Sequence, residues 1–139
     1  MKYKEYQLLL MKLRSEEKFA FLQLCQHVAK IDGEYSLKER QVIDEYCVEM
    51  GIDNVEIDQS QFVLEDNLEI FTTKKSQKIV LLSLMVLIHI DHKYGIYEHK
   101  TIAHIAQKFE FEKKQLQYFS IWGKASSAMY EQALMLIED

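Results

Sequence analysis

The twelve residues IVLLSLMVLIHI, residues 79–90, decide the fold of this chain. Ser83 and His89 are the only polar side chains in the run. A helix that is apolar on all sides is buried, so we expect this one to form the centre of the core. The run is too short to span a bilayer, which requires about 20 residues. The stretch therefore predicts a buried central helix and not a membrane span.

The composition favours a single helical domain. The chain has 139 residues, of which 48% are hydrophobic, with no proline and only four glycines. A chain of this length can build one core of its own. Because proline and glycine are scarce, long helices are favoured over turns and strands. We predict an all-α fold of about seven helices in one domain, residues 1–139.

The net charge and the positions of the two cysteines indicate which partners and which cellular compartment to expect. The net charge is −5, and no basic stripe is available for phosphates, so a nucleic-acid partner is not expected. Cys25 and Cys47 lie on apolar stripes and not in CxxC spacing, which predicts buried thiols in a reducing compartment. The first residues do not have the pattern of a signal peptide. We expect a cytoplasmic protein without membrane insertion.

Apolar side chains recur at helical spacing along the rest of the chain. The predicted helices cover residues 2–13, 15–31, 37–50, 59–70, 74–90, 96–109 and 112–138, with Ser15, Ser36 and Thr72 or Thr73 as N-caps. Gly123 either kinks the last helix or divides it, and the sequence leaves both alternatives open. Core packing is the expectation for Trp122, Tyr118 and Phe119, with an exposed docking patch as the alternative.

Two turns of the chain align when the sequence is shifted by 59 residues, the separation of Asp32 and Asp91. The turn residues Ile31, Asp32, Tyr35 and Glu39 fall on Ile90, Asp91, Tyr94 and Glu98. The apolar stripe of Ile43, Tyr46, Cys47 and Met50 falls on that of Ile102, Ile105, Ala106 and Phe109. We infer an internal repeat, about residues 15–52 and 74–111, of two helix–turn–helix units packed around the central helix.

The segments AKIDGEYSLKE and IHIDHKYGIYE resemble the TerB-like domain family, named for a bacterial tellurite-resistance protein. The resemblance covers about residues 15–111, and the second segment departs from the pattern because His92 stands where Gly33 does. It implies an all-helical, non-enzymatic protein of chemical stress response. It also implies metal association and partners among the other proteins of a stress-response complex.

Four carboxylates form the candidate metal site: Asp32, Glu39, Asp91 and Glu98. If the two units pack about a pseudo-twofold axis, these acids converge, and clustered carboxylates repel unless a cation lies among them. Oxygen ligands suit Ca²⁺, Mg²⁺ or Mn²⁺. The alternative is that the acids are turn and cap residues of a protein–protein interaction module. A third hypothesis is an enzyme that uses a carboxylate pair as acid and base, although no other catalytic motif is present.

Four of the five histidines form a second cluster within sixteen residues. Imidazole nitrogens suit Zn²⁺ or Ni²⁺, but no zinc-site spacing is satisfied here. The sequence favours ordinary surface or turn histidines at His89, His92, His99 and His104.

Overall fold

The computed structural model describes residues 9–31, 33, 35–90 and 95–138, and within these ranges the chain is helical and contains no strand. The helices are α1 (Ser15–Lys30), α2 (Leu37–Met50), α3 (Leu64–Glu69), α4 (Lys74–His89), α5 (Ile96–Lys108) and α6 (Lys113–Ile137). Two short 3₁₀-helices, Leu9–Lys12 and Gln59–Gln61, precede α1 and α3. The predicted all-α fold is confirmed, with six α-helices in the described residues against about seven expected.

Helix α4 is the centre of the core, as its apolar sequence predicts. Leu84 and Leu87 are completely buried, and so are most of the other apolar residues of this helix. It packs against α1, α2 and α5, and most extensively against α6. A helix with neighbours on this many sides needs apolar residues around most of its circumference, which accounts for the run at 79–90.

The helix pairs α1–α2 and α4–α5 have matching bounds when the chain is shifted by 59 residues. Helix α1 covers residues 15–30 and α4 covers 74–89, while α2 and α5 begin at 37 and 96. The nine buried positions of α1, moved by the same shift, coincide with the nine buried positions of α4. The first helices of the two pairs therefore bury equivalent faces, and superposition of the backbones of the two pairs stays a prediction.

Helices α1 and α2 each begin with a glutamate at the third helical position that accepts the backbone N–H of the N-cap residue. Ser36 caps α2 as predicted, since its hydroxyl oxygen accepts the amide of Glu39 at 3.1 Å. The N-cap of α1 is Arg14, so the prediction of Ser15 was wrong by one residue. The cause is the buried carboxylate of Glu17, which accepts the backbone N–H of Arg14 at 2.9 Å and fixes the first turn one residue earlier.

Two predicted helices differ from the observed elements. The single helix expected over residues 59–70 was wrong, because Phe62 and Val63 adopt extended backbone angles between the second 3₁₀-helix and α3. The helix expected over residues 2–13 is described only from Leu9 onward, and there it is a single 3₁₀ turn. Leu10 and Leu13 are buried, as the predicted stripe requires.

Helix α6 is continuous through Gly123, so this glycine neither breaks the helix nor ends it. A Cβ added at Gly123 would lie 2.3 Å from the Cβ of Met85 and 2.8 Å from its carbonyl carbon. One turn later Ser127 is also buried. The two small residues let α6 approach the backbone of α4 closely, which explains why glycine is tolerated inside a long helix.

Both cysteines are free and buried, as predicted. None of the described helices, including the 25-residue α6, is long and apolar enough to cross a bilayer.

Candidate functional site

Two of the four predicted metal ligands lie in the described part of the chain. Glu39 and Glu98 occupy the same position, the third residue of α2 and of α5, and each is only 3% exposed. An Oε1 atom of each accepts the backbone N–H that precedes its helix, at 2.9 Å from Ser36 and 3.1 Å from Gly95. Both glutamates therefore serve as helix caps. Asp32 and Asp91 lie outside the described residues.

The role of these carboxylates in ion binding stays a prediction. Within the ranges that the structure describes, no three His, Cys, Asp or Glu side chains are grouped closely enough to hold a metal ion. A site that also uses Asp32 and Asp91 would combine the two capping glutamates with acids that stand seven residues before them in the sequence. The capping hydrogen bond uses Oε1 of each glutamate, and the two glutamates occupy equivalent positions in their helices.

An ion titration tests this site. If the site exists, Mn²⁺, Ca²⁺ or Mg²⁺ should stabilise the fold by about 2.7 kcal/mol at a hundredfold excess over Kd. The double variant Asp32→Asn, Asp91→Asn should lose this response, and low pH should weaken it because protonated carboxylates are poor ligands. The matched control is Asp53→Asn, Asp66→Asn, at two exposed positions. If none of the three ions changes the melting temperature, Glu39 and Glu98 act only as helix caps.

The described histidines contact different elements. The Nε2 atom of His89 lies 3.2 Å from the hydroxyl of Ser120 in α6. His104 pairs with Glu65 of α3, and this contact lowers the pKa of the Glu65 carboxyl. His92 lies outside the described residues. Separate partners for His89 and His104 agree with their interpretation as ordinary helix-surface residues.

Helix α6 carries an exposed apolar face, which the sequence offered only as the alternative to core packing. We call it the outer face of α6, and all of its members are exposed: Tyr118, Ile121, Trp122, Ala125, Ala128, Met129, Gln132 and Leu136. The expectation of core packing was wrong for Tyr118 and Trp122, which remain 59% and 42% exposed. The reason is that the buried residues of α6 are Gly123 and Ser127, and Tyr118 and Trp122 lie on another side of the helix.

This face has the composition of a protein interface. Residues 115–137 contain only two charged side chains, Lys124 and Glu131, and Glu131 pairs with Lys38 of α2 at 3.0 Å. Interface centres are depleted in charge and enriched in tyrosine, tryptophan and methionine. The outer face of α6 has all three of these residue types and no charged residue.

A groove of about 520 Å³ borders this face and is lined by residues of α6, α4, α2 and the first 3₁₀-helix. Its walls include Trp122 and Met129 from α6, Tyr46 and Glu49 from α2, and Leu9. The hydroxyl of Tyr46 donates to the carbonyl of Ser83 at 2.7 Å, which fixes this ring in place. Trp122 therefore lines the groove and also belongs to the exposed outer face of α6.

The carboxyl group of Glu49 is half-buried in the wall of the groove. Its Oε2 accepts the backbone N–H of Leu10 at 2.8 Å. Burial nevertheless raises the pKa of Glu49 above its ordinary value of 4.5, and the Leu10 hydrogen bond opposes only part of that effect. The groove thus disfavours the charged form of its one acidic wall residue.

The raised pKa of Glu49 predicts a pH-dependent stability. A carboxyl with a higher pKa in the folded state binds more protons there than in the unfolded state, so its contribution falls as pH rises above about 4.5 through the folded pKa. Glu49→Gln keeps an acceptor for Leu10 and should be more stable than the parent at pH 7. Denaturant unfolding between pH 4 and pH 8, a range that spans the ordinary Glu titration, should show the difference growing with pH. Glu138→Gln, at an exposed position near the end of α6, is the control. A stability difference between Glu49→Gln and the parent protein that stays constant with pH would contradict the prediction.

Comparisons with protein-family models, with curated proteins and with solved structures found no match.

Proposed function

We propose that this protein is a non-enzymatic interaction module that binds an apolar helix of a partner on the outer face of α6. One observation carries the proposal: the buried residues of the 25-residue α6 are the small Gly123 and Ser127, while several of its large apolar and aromatic side chains are exposed, among them Tyr118, Ile121 and Trp122. Contiguous exposed apolar patches on a protein surface mark interaction sites.

The chemistry of the face specifies its partner. With no charged residue among its members, the face cannot select an acidic or a basic segment. It suits an amphipathic helix whose contact stripe is apolar and uncharged, the mode of recognition in which residues i, i+3, i+4 and i+7 act as anchors. Tyr118 and Trp122 belong to the residue types that carry most binding energy at interfaces.

A designed peptide tests this function. A labelled amphipathic helix with leucine at its contact positions should bind the protein, measured by fluorescence anisotropy. Ala125→Glu places a charge in the middle of the face and should weaken binding at least tenfold, about 1.4 kcal/mol. The matched control is Ala103→Glu, because Ala103 is an exposed helical alanine on α5. Absence of binding, or equal loss in both variants, would contradict the proposal.

The TerB-like resemblance supports a second proposal, a divalent-ion site in a metal-associated stress-response protein. What favours it is the equivalence of the two helix pairs, which gives Glu39 and Glu98 matching helix positions, each seven residues after Asp32 or Asp91 in the sequence. The ion titration described above tests this function without reference to α6. The two proposals are independent, and one protein can combine them.

A further inference from the structure

The groove beside the outer face of α6 has the size and the lining of a small-ligand site. Its volume of about 520 Å³ falls within the range of ligand pockets, about 300–1,000 Å³. Three aromatic side chains line it, Tyr46 from α2 and Trp122 and Tyr130 from α6, and Val86 and Met129 add aliphatic surface. Ligand pockets combine mostly apolar walls with a few polar groups, and those polar groups determine which ligand is bound.

Glu49 is the polar group that distinguishes this groove. Its side chain is half-buried, and the hydrogen bond from the Leu10 amide uses Oε2, so Oε1 has no hydrogen bond from a described residue. In the part of the chain that the structure describes, no lysine, arginine or histidine lines the groove or forms an ion pair with Glu49. Burial raises the pKa of Tyr130, and the nearby carboxylate of Glu45 raises it further. The described walls of the groove thus combine aromatic rings with negative charge.

An organic cation matches both features of the groove. An opposite charge next to a partly buried carboxylate offsets the free energy that burial costs the charged form. The faces of tryptophan and tyrosine rings attract ammonium groups. A neutral apolar ligand would instead shield Glu49 further from water without replacing its lost hydration, and an anionic ligand would be repelled by this carboxylate. The groove therefore favours a cation with an apolar body over ligands of the other two classes.

We propose that the groove binds a small organic ammonium ion, a primary amine with an apolar body, whose ammonium group donates to Oε1 of Glu49 while its body packs against the aromatic walls. This site goes beyond the proposed function, which belongs to the outer face of α6. Trp122 and Met129 border both surfaces. Glu49 lines only the groove and Ala125 lies only on the outer face, so variants at these two positions separate the two roles.

Hexylamine, hexanol and hexanoate test the proposal, because they share one six-carbon chain and differ in charge. Hexylamine is protonated at pH 7, since an alkyl amine such as that of lysine has a pKa of about 10.4. Trp122 is the only tryptophan in the chain, so its indole N–H gives one signal in a proton–nitrogen correlation spectrum of the unmodified protein. The shift of this signal should report hexylamine binding at about millimolar concentration, with hexanol at least about tenfold weaker and hexanoate weaker still.

Three variants locate the binding. Glu49→Gln keeps an acceptor for the Leu10 amide but removes the charge, so it should weaken hexylamine binding at least about tenfold and change hexanol binding little. The matched control is Glu138→Gln, which removes the same charge at an exposed position away from the groove and should bind hexylamine as the parent does. Ala125→Glu should lose the designed peptide and keep hexylamine.

The outcomes distinguish this site from the proposed function. Equal binding of hexylamine and hexanol would overturn the ammonium site, and so would an indole signal that no probe shifts. Equal effects of Glu49→Gln and Glu138→Gln on hexylamine would also overturn it, because the attraction would then come from net charge alone. Any of these results leaves peptide binding on the outer face of α6 untouched, whereas a protein that binds hexylamine and not the peptide would contradict only the proposed function.

Discussion

Leu84→Ala should lower the free energy of unfolding by about 2–5 kcal/mol. Leu84 lies in the middle of α4 and is completely buried among the helices that surround it. The variant removes apolar contacts and leaves a cavity that the neighbouring helices can fill only in part, and the two effects add. Chemical denaturation monitored by circular dichroism measures the change, provided that the slope of the transition stays the same.

The same substitution at Leu136 is the control for Leu84→Ala. Leu136 lies near the end of α6 and is 83% exposed. Its truncation should change stability by no more than about 0.5 kcal/mol at protein concentrations too low for association. A loss below 1 kcal/mol at Leu84 would contradict the placement of α4 at the centre of the core.

Gly123→Ala should destabilise the protein by about 1–3 kcal/mol or more, against the usual trend for helices. In an open helix this change stabilises by about 1 kcal/mol, because alanine is the better helix former. Here the new Cβ would lie 2.3 Å from the Cβ of Met85, 2.8 Å from its carbonyl carbon and 3.0 Å from its carbonyl oxygen. Two of these three atoms belong to the backbone of α4, so a side-chain rotation cannot relieve the contact.

Gln117→Ala, at an exposed position of the same helix, is the control for Gly123→Ala. It should change stability by no more than about 0.5 kcal/mol. Urea unfolding of both variants measures their free energies of unfolding. A Gly123→Ala protein that is more stable than the parent would show that α6 does not approach α4 closely at this point.

Much of the fold could be predicted from the sequence, because burial and helix caps leave local signals. The uninterrupted apolar run around Leu84 indicates a helix with neighbours on most sides. Ser36 and Glu39 form a cap that depends on four consecutive residues, so its geometry follows from the sequence alone. Matching patterns in both halves of the chain support these predictions, since α1 and α4 bury the same positions.

The orientation of α6 could not be predicted in the same way. Apolar residues occur on two sides of this helix, and helical spacing alone cannot say which side faces the core. Burial favours large side chains, so Trp122 was expected inside. The structure instead uses Gly123 and Ser127 for the contact, because close approach of two backbones buries area without large side chains on α6. A glycine and a serine four residues apart were the signal that could have indicated it.

The candidate ion site could be predicted only in part, for a different reason. Sequence spacing predicted correctly that Glu39 and Glu98 lie in the first turns of two helices. Convergence of four acids depends on how the two helix pairs pack, which is a long-range property with no local signature. Capping and ion binding also use the same residue types in the same places, so the ion titration is needed to separate them.

The emission of Trp122 tests the outer face of α6 most directly, because this is the only tryptophan in the chain and it lies on that face. At low protein concentration the emission should be that of a partly exposed indole and should be readily quenched by acrylamide. Adding the designed helical peptide should shift the emission to shorter wavelength and reduce quenching, and Ala125→Glu should remove both effects. Emission and quenching that stay the same with saturating peptide would contradict a binding role for this face.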